Sequence, residues 1–129
     1  MMRIQQASRQ SGMPAKTIRF YEDIGLVRPA ARSANGYRQF SDTDVRTLKF
    51  IHRARKLGFS VEDIQKLLSL WQDKKRASAD VKKLALAHVN EIEARIRELE
   101  SVKHAIRHLA DRCHGDQRPE CPILDELAE

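Results

Sequence analysis

Apolar residues recur along this chain at helical spacing, in segments that lengthen toward the C-terminus. Ile4 and Ala7 predict a short helix from about Ile4 to Arg9, followed by a turn at Ser11-Gly12-Met13. Ile18 and Tyr21 predict a second helix from about Pro14 to Ile24, with Pro near its first turn, where a missing N–H costs nothing. Gly25 ends it. Two short helices around a Gly-containing turn make a helix-turn-helix pattern. Ile4, Ala7, Ile18, Tyr21, Leu26 and Val27 can supply its small core.

Asn35-Gly36 then sits between short flanks, Arg32 on one side and Tyr37-Arg38 to Phe40 on the other. Asn-Gly predicts a type I′ hairpin turn, hence a two-stranded wing that must lean on the helices. Ser41, with Asp44 three residues on, reads as a helix cap. The helix it opens carries Val45, Leu48, Ile51 and Ala54 at helical spacing and reaches about Leu57. Ser60 with Asp63 opens a fourth helix, with Ile64, Leu67, Leu68 and Trp71 on one face. Gln72–Ala77 reads as a polar linker.

From Ser78, read as a cap, to about Asp111 the pattern changes. Val81, Ala85, His88/Val89, Ile92, Ile96/Leu99, Val102, Ile106 and Leu109 recur about every 3.5 residues, the seam period of a left-handed coiled coil. Such a helix is about 50 Å long, too long for so small a domain to cover. The stripe needs a partner, and the simplest is the same helix of a second copy, parallel or antiparallel. Beyond it Gly115 and Pro119 predict a loop, and Pro122 a last short helix with Ile123, Leu124 and Leu127 on one face.

Charge sharpens this division. Residues 1–76 carry 16 Lys and Arg against 7 Asp and Glu, a net of +9, whereas residues 77–129 carry 8 against 11, a net of −3. The positive charge is concentrated where the helix-turn-helix lies, as expected either of a surface that meets phosphate or of a basic solvated face with no partner. Lys16, Thr17 and Arg19 stand near the start of the second helix, the part that a recognition helix offers to bases. Arg32, Tyr37 and Arg38 add a wing suited to phosphate, sugar or guanine. Tyr21 is counted among the DNA-contacting candidates as well as in the core. With no apolar leader and no apolar run near the ~20 residues of a membrane span, a cytoplasmic protein is expected, its thiols reduced.

The thiols are Cys113 and Cys121, eight positions apart across the loop. By themselves they are compatible with metal binding, a reversible disulfide or two unrelated thiols. Cys113-His114 as a nucleophile and base has no oxyanion loop or acid partner beside it, so an enzyme is not expected. His104 and His108, spaced i, i+4, read as solvated on a charged face.

The run Lys16-Thr-Ile-Arg-Phe-Tyr-Glu-Asp-Ile-Gly-Leu-Val27, then Asn35-Gly-Tyr-Arg38, then Gly58-Phe-Ser60, resembles the MerR family along nearly the whole chain. The ending Cys113-x7-Cys121-Pro-Ile resembles its copper-efflux-regulator (CueR/HmrR-like) branch. The resemblance implies a mainly α fold: a winged helix-turn-helix DNA-binding domain, a long antiparallel coiled-coil dimerisation helix, and a short C-terminal metal-binding loop and helix. Their expected spans are 1–76, 77–111 and 112–129. It further implies a homodimer on double-stranded promoter DNA that represses without effector. With effector it distorts the DNA so that RNA polymerase can use the promoter. Arg19, Arg32, Tyr37 and Arg38 match the family's contact positions. Cys113 and Cys121 would then bind Cu(I), Ag(I) or Au(I), soft ions suited to two thiolates. Ser78 stands where divalent-ion sensors of the family place a third thiolate, and so would set selectivity. The alternatives are a redox switch using a Cys113–Cys121 disulfide and a divalent-metal sensor.

Overall fold

The computed structural model describes residues 1–129 as a mainly helical chain. Its elements are α1 (Ile4–Ser11), α2 (Ala15–Asp23), β1 (Ala31–Arg32), β2 (Arg38–Gln39), α3 (Asp42–Lys56), α4 (Val61–Gln72), α5 (Ser78–Asp111) and α6 (Pro122–Ala128). The chain divides into two compact units, Met1–Val81 and Lys82–Glu129.

The first unit is built on one apolar cluster. α1 contributes Ile4 and Ala7, α2 Ile18 and Tyr21, α3 Val45, Leu48, Ile51 and Ala54, and α4 Ile64 and Leu68. Each set follows the i, i+3, i+4 rule, so four amphipathic helices bury one stripe apiece. Leu26 is buried as expected, while Val27 is half-buried against the cluster. Phe50 of α3 stacks on Trp71 of α4 with ring centroids 4.4 Å apart, which brings these two helices together at the cluster's edge.

The helix-turn-helix turn is tied by two serines. Ser8 Oγ donates to Met13 O at 2.6 Å, and buried Ser11 Oγ accepts from Met13 N–H at 3.2 Å. Gly12 between them adopts φ 78, a left-handed conformation that other residues reach only with strain. α1 thus runs two residues past the expected Arg9, and Pro14 caps α2 from outside rather than lying within its first turn.

The wing forms, but by another turn. Asn35 does not have positive φ, as type I′ would require; Gly36 does, at 81. Gly36 N–H donates to Ser33 O at 2.9 Å and Ser33 N–H to Tyr37 O at 2.8 Å. These close a three-residue loop of the kind that ends in a left-handed glycine bulge. Ala31 faces Gln39 and Arg32 faces Arg38 across the antiparallel pair. A strand pairing absent from the hydrophobic pattern extends it: Met2 and Phe40 exchange both backbone hydrogen bonds, at 2.8 and 2.6 Å.

Ser41 and Asp44 form a complete capping box on α3, and Ser60 Oγ accepts from Asp63 N–H on α4. Ser78 is different. It is the first residue inside α5, not its cap. In the second unit α5 buries no residue, and its stripe lies open: Val89, Ile92, Ile96, Leu99, Val102 and Ile106 are all exposed. No helix is long and apolar enough to cross a membrane.

Candidate nucleic-acid interface and metal centre

α2 is a nine-residue helix whose inward stripe, Ile18 and Tyr21, fixes its rotation. Lys16 and Arg19 consequently point outward and are exposed, and Thr17 is half-buried. Tyr21 is 6% exposed and packs in the core, which corrects its place among the DNA-contacting candidates. The three-residue step from Ile18 puts it on the inner face. Phe20 is the aromatic residue that α2 turns outward, 53% exposed, and its ring lies 5.7 Å from that of Tyr21.

The wing residues Arg32 and Tyr37 are exposed and Arg38 is half-buried. Glu22, near the end of α2, explains the difference. One carboxylate oxygen accepts from Arg38 Nε at 2.8 Å and the other from Ala30 N–H at 3.1 Å. The Glu22 side chain is 6% exposed and that of Arg38 23%. A buried acid thus locks wing to recognition helix through a charge-assisted hydrogen bond to a partly exposed guanidinium. Sequence reasoning passed over Glu22, because an acid in a basic segment carries no periodic signal; the charge of Arg38 sixteen residues away was the clue. Replacing Glu22 by Ala is expected to destabilise the protein by about 2 kcal/mol, since it leaves a part-buried cation and an amide unpaired. The urea midpoint measures this, and a change under about 0.5 kcal/mol would remove Glu22 from that role.

In the second unit, the last turn of α5 carries on to Cys113 through backbone bonds from Arg112 N to His108 O and Cys113 N to Ala110 O. Asp116 folds the loop back by accepting from both Arg118 N–H, at 2.9 Å, and Arg118 Nε, at 2.8 Å. The loop delivers Cys121 to the N-terminus of α6, where Pro122 takes the first turn. Both cysteines are free thiols of intermediate exposure.

The Cys121 thiol is held below its ordinary range. The amide of Leu124 is the main cause, with the amide of Ile123 and the Cys113 side chain acting in the same direction against desolvation and the charge of Asp125. These amides face the sulfur without closing a full N-cap hydrogen bond. The arrangement favours thiolate, the form that ligates metal and attacks disulfides. The Cys113 side chain is thus one of the groups that hold the Cys121 sulfur toward thiolate. No group of three or more His, Cys, Asp or Glu converges anywhere in the chain, so His114, His104 and His108 complete no larger cluster.

These features match known proteins. The family model of MerR helix-turn-helix regulatory proteins matches residues 2–71, and that of the MerR DNA-binding region matches residues 45–109. The chain belongs to the MerR family. It is a DNA-binding transcription regulator and not an enzyme. A MerR-family relative, the regulator HmrR of Sinorhizobium medicae, is 53% identical over 128 residues, covering 99% of this chain and 87% of the relative. The regulator CueR of Salmonella typhimurium is 42% identical over 127 residues, covering 98% and 92%. Among solved MerR-type structures, that of the transcription regulator PbrR691 from Ralstonia metallidurans, in complex with lead(II), superposes with a TM-score of 0.85. It is 29% identical and covers 98% of this chain and 99% of that one.

Proposed function

We propose that this regulator binds promoter DNA as a homodimer and activates transcription by distorting that DNA when Cu(I), or Ag(I) or Au(I), binds at Cys113 and Cys121. The observation that carries the metal half is the Cys121 thiol, held toward thiolate by the amides of α6 and the Cys113 side chain, with no third His, Cys, Asp or Glu placed to complete a larger metal-holding group. Two soft donors suffice for a monovalent d¹⁰ ion in near-linear coordination, whereas zinc ordinarily takes four ligands. The family resemblance puts Ser78 at the position where divalent-ion sensors carry a thiolate, and a hard hydroxyl there agrees with a monovalent soft ion. The likeness to HmrR and CueR supports a metal effector; the lead(II) complex of PbrR691 is the reason to test divalent ions beside monovalent ones.

On this reading Lys16, Thr17 and Arg19 of α2 meet the major groove, and Arg32, Tyr37 and Arg38 of the wing meet the backbone, on a segment of net charge +9. RNA polymerase is the partner at the promoter, and a reduced cytoplasmic setting keeps the thiols available. Cys113 and Cys121 would hold the ion, which would supply positive charge to offset their thiolates. The chain's own part is to close the 113–121 loop and fix the start of α6. The effector works only through its difference in affinity for the two dimer states.

In vitro transcription from the regulator's own upstream promoter, with anaerobic reduced protein, tests this. Cu(I) is expected to raise the transcript, with Zn(II) and Pb(II) ineffective at equal free concentration. An equal response to Zn(II) or Pb(II) would make it a divalent sensor. Activation by oxidant alone, with metal chelated, would favour the disulfide switch that the same sulfur proximity permits.

A further inference from the structure

We propose that Arg3, stacked on Tyr37, forms a DNA-phosphate contact additional to those of the recognition helix and wing. The inference rests on the DNA-binding reading above and adds a residue to it.

The Arg3 guanidinium carbon lies 4.3 Å from the centre of the Tyr37 ring. Both side chains are exposed, Tyr37 by 54%. The backbone beneath Arg3 is held on both sides. Before it, Met2 is bonded twice to Phe40 at the foot of the wing. After it, the Arg3 carbonyl accepts from Gln6 and Ala7 N–H at 3.1 and 3.0 Å, opening α1. Arg3 therefore belongs to the wing in space, although 34 residues separate it from Tyr37 in sequence.

The chemistry of the stack decides what this arrangement can do. A guanidinium lying on an aromatic face spends its π surface there and keeps its edge of N–H donors free. The neighbouring arginines are more committed. Arg32 donates through Nη1 to Gly36 O at 2.9 Å, and Arg38 through Nε to Glu22 at 2.8 Å. No side-chain hydrogen bond or ion pair occupies Arg3, and the ring restricts its rotamers. A cation held in place by stacking gives up less side-chain entropy on meeting phosphate than a free arginine does. Phosphate contacts position a protein on the duplex without reading its sequence, so Arg3 should strengthen operator and unrelated DNA alike.

Arg3→Gln, measured on full-length protein by fluorescence anisotropy at 50–200 mM salt, separates this from a structural effect. One phosphate contact contributes about 0.9 to the salt slope, so losing one per protomer lowers a dimer's slope by about 1.8. The affinity lost between 50 and 200 mM salt then shrinks by about tenfold. The same drop is expected on unrelated DNA. In a Tyr37→Leu background, which removes the platform, the further effect of Arg3→Gln should be smaller. A weakened affinity with an unchanged slope, or a full Arg3→Gln effect without Tyr37, would overturn the proposal. Parent protein that fails to bind its operator would instead overturn the DNA-binding reading.

Discussion

Serine in place of Cys113 or Cys121 is expected to abolish Cu(I)-dependent activation while leaving the ion-free operator affinity within about 0.5 kcal/mol of the parent. The asymmetry follows from where the thiols stand. Both lie in the second unit, in a loop and at a helix start, outside the apolar cluster that holds α1 to α4 in place. A serine hydroxyl is a hard, weakly acidic donor, and with two ligands each supplies half the binding. Ion affinity should fall by more than the roughly 10- to 100-fold that the loss of a mere supporting group costs. Competition with a Cu(I) chelator and anisotropy on operator DNA measure the two quantities separately. Lost operator binding in the ion-free variants would overturn the division of roles, and retained Cu(I) activation would remove the thiols from the site.

The same geometry sets a pH dependence. A thiol that must lose its proton to bind metal makes affinity rise with pH until it is already thiolate. Cys121 is shifted below the ordinary thiol value, chiefly by the Leu124 amide, so its contribution levels off at lower pH than an unperturbed cysteine's would. The sign is therefore stronger Cu(I) capture on the acidic side, relative to a peptide of residues 113–121 that cannot form α6.

What was legible in the sequence is what periodicity and caps record. Ile18, Leu48, Ile51 and Ile64 fell into the core because each repeats on a helical face, and Ser41 with Asp44 announced α3 through a local hydrogen-bond pattern. The misreadings lay where side chains from distant segments decide. Tyr21 turned inward with Ile18, as its place in the core pattern required, which left Phe20 outward and removed Tyr21 from the DNA-contacting candidates, and Asn-Gly yielded a glycine bulge instead of a two-residue turn. Ser78 fell one position inside α5, a boundary that a single residue's propensity does not define. Glu22, the Met2–Phe40 pairing and Arg3 over Tyr37 join residues 16 to 38 positions apart, and no local pattern encodes such pairs. At the thiol site the spacing marked the residues, but only the fold showed that α6 amides face one sulfur.

Leu99→Glu is expected to convert the dimer to monomer and to lower operator affinity by at least 100-fold. Leu99 is 62% exposed within one chain, and Ile92, Val102 and Ile106 beside it on the helix are 43%, 54% and 58% exposed. Seven large apolar residues of α5, Leu86 to Ile106, stand open to water in this way. Their 3.5-residue recurrence describes a seam for another helix and not a scattered surface. If a second α5 fills that seam, the substitution brings one unpaired carboxylate from each copy into a desolvated interface, at a cost of several kcal/mol per ion. The consequence for DNA is larger than for folding, because the first unit keeps its own core. Two recognition helices joined by the seam bind the second half-site at high effective concentration, whereas a monomer must bind each half alone. Sedimentation of the variant gives the mass, circular dichroism confirms that the helices persist, and anisotropy gives the affinity. A folded variant that remains dimeric would show that the stripe is covered by something other than its own copy.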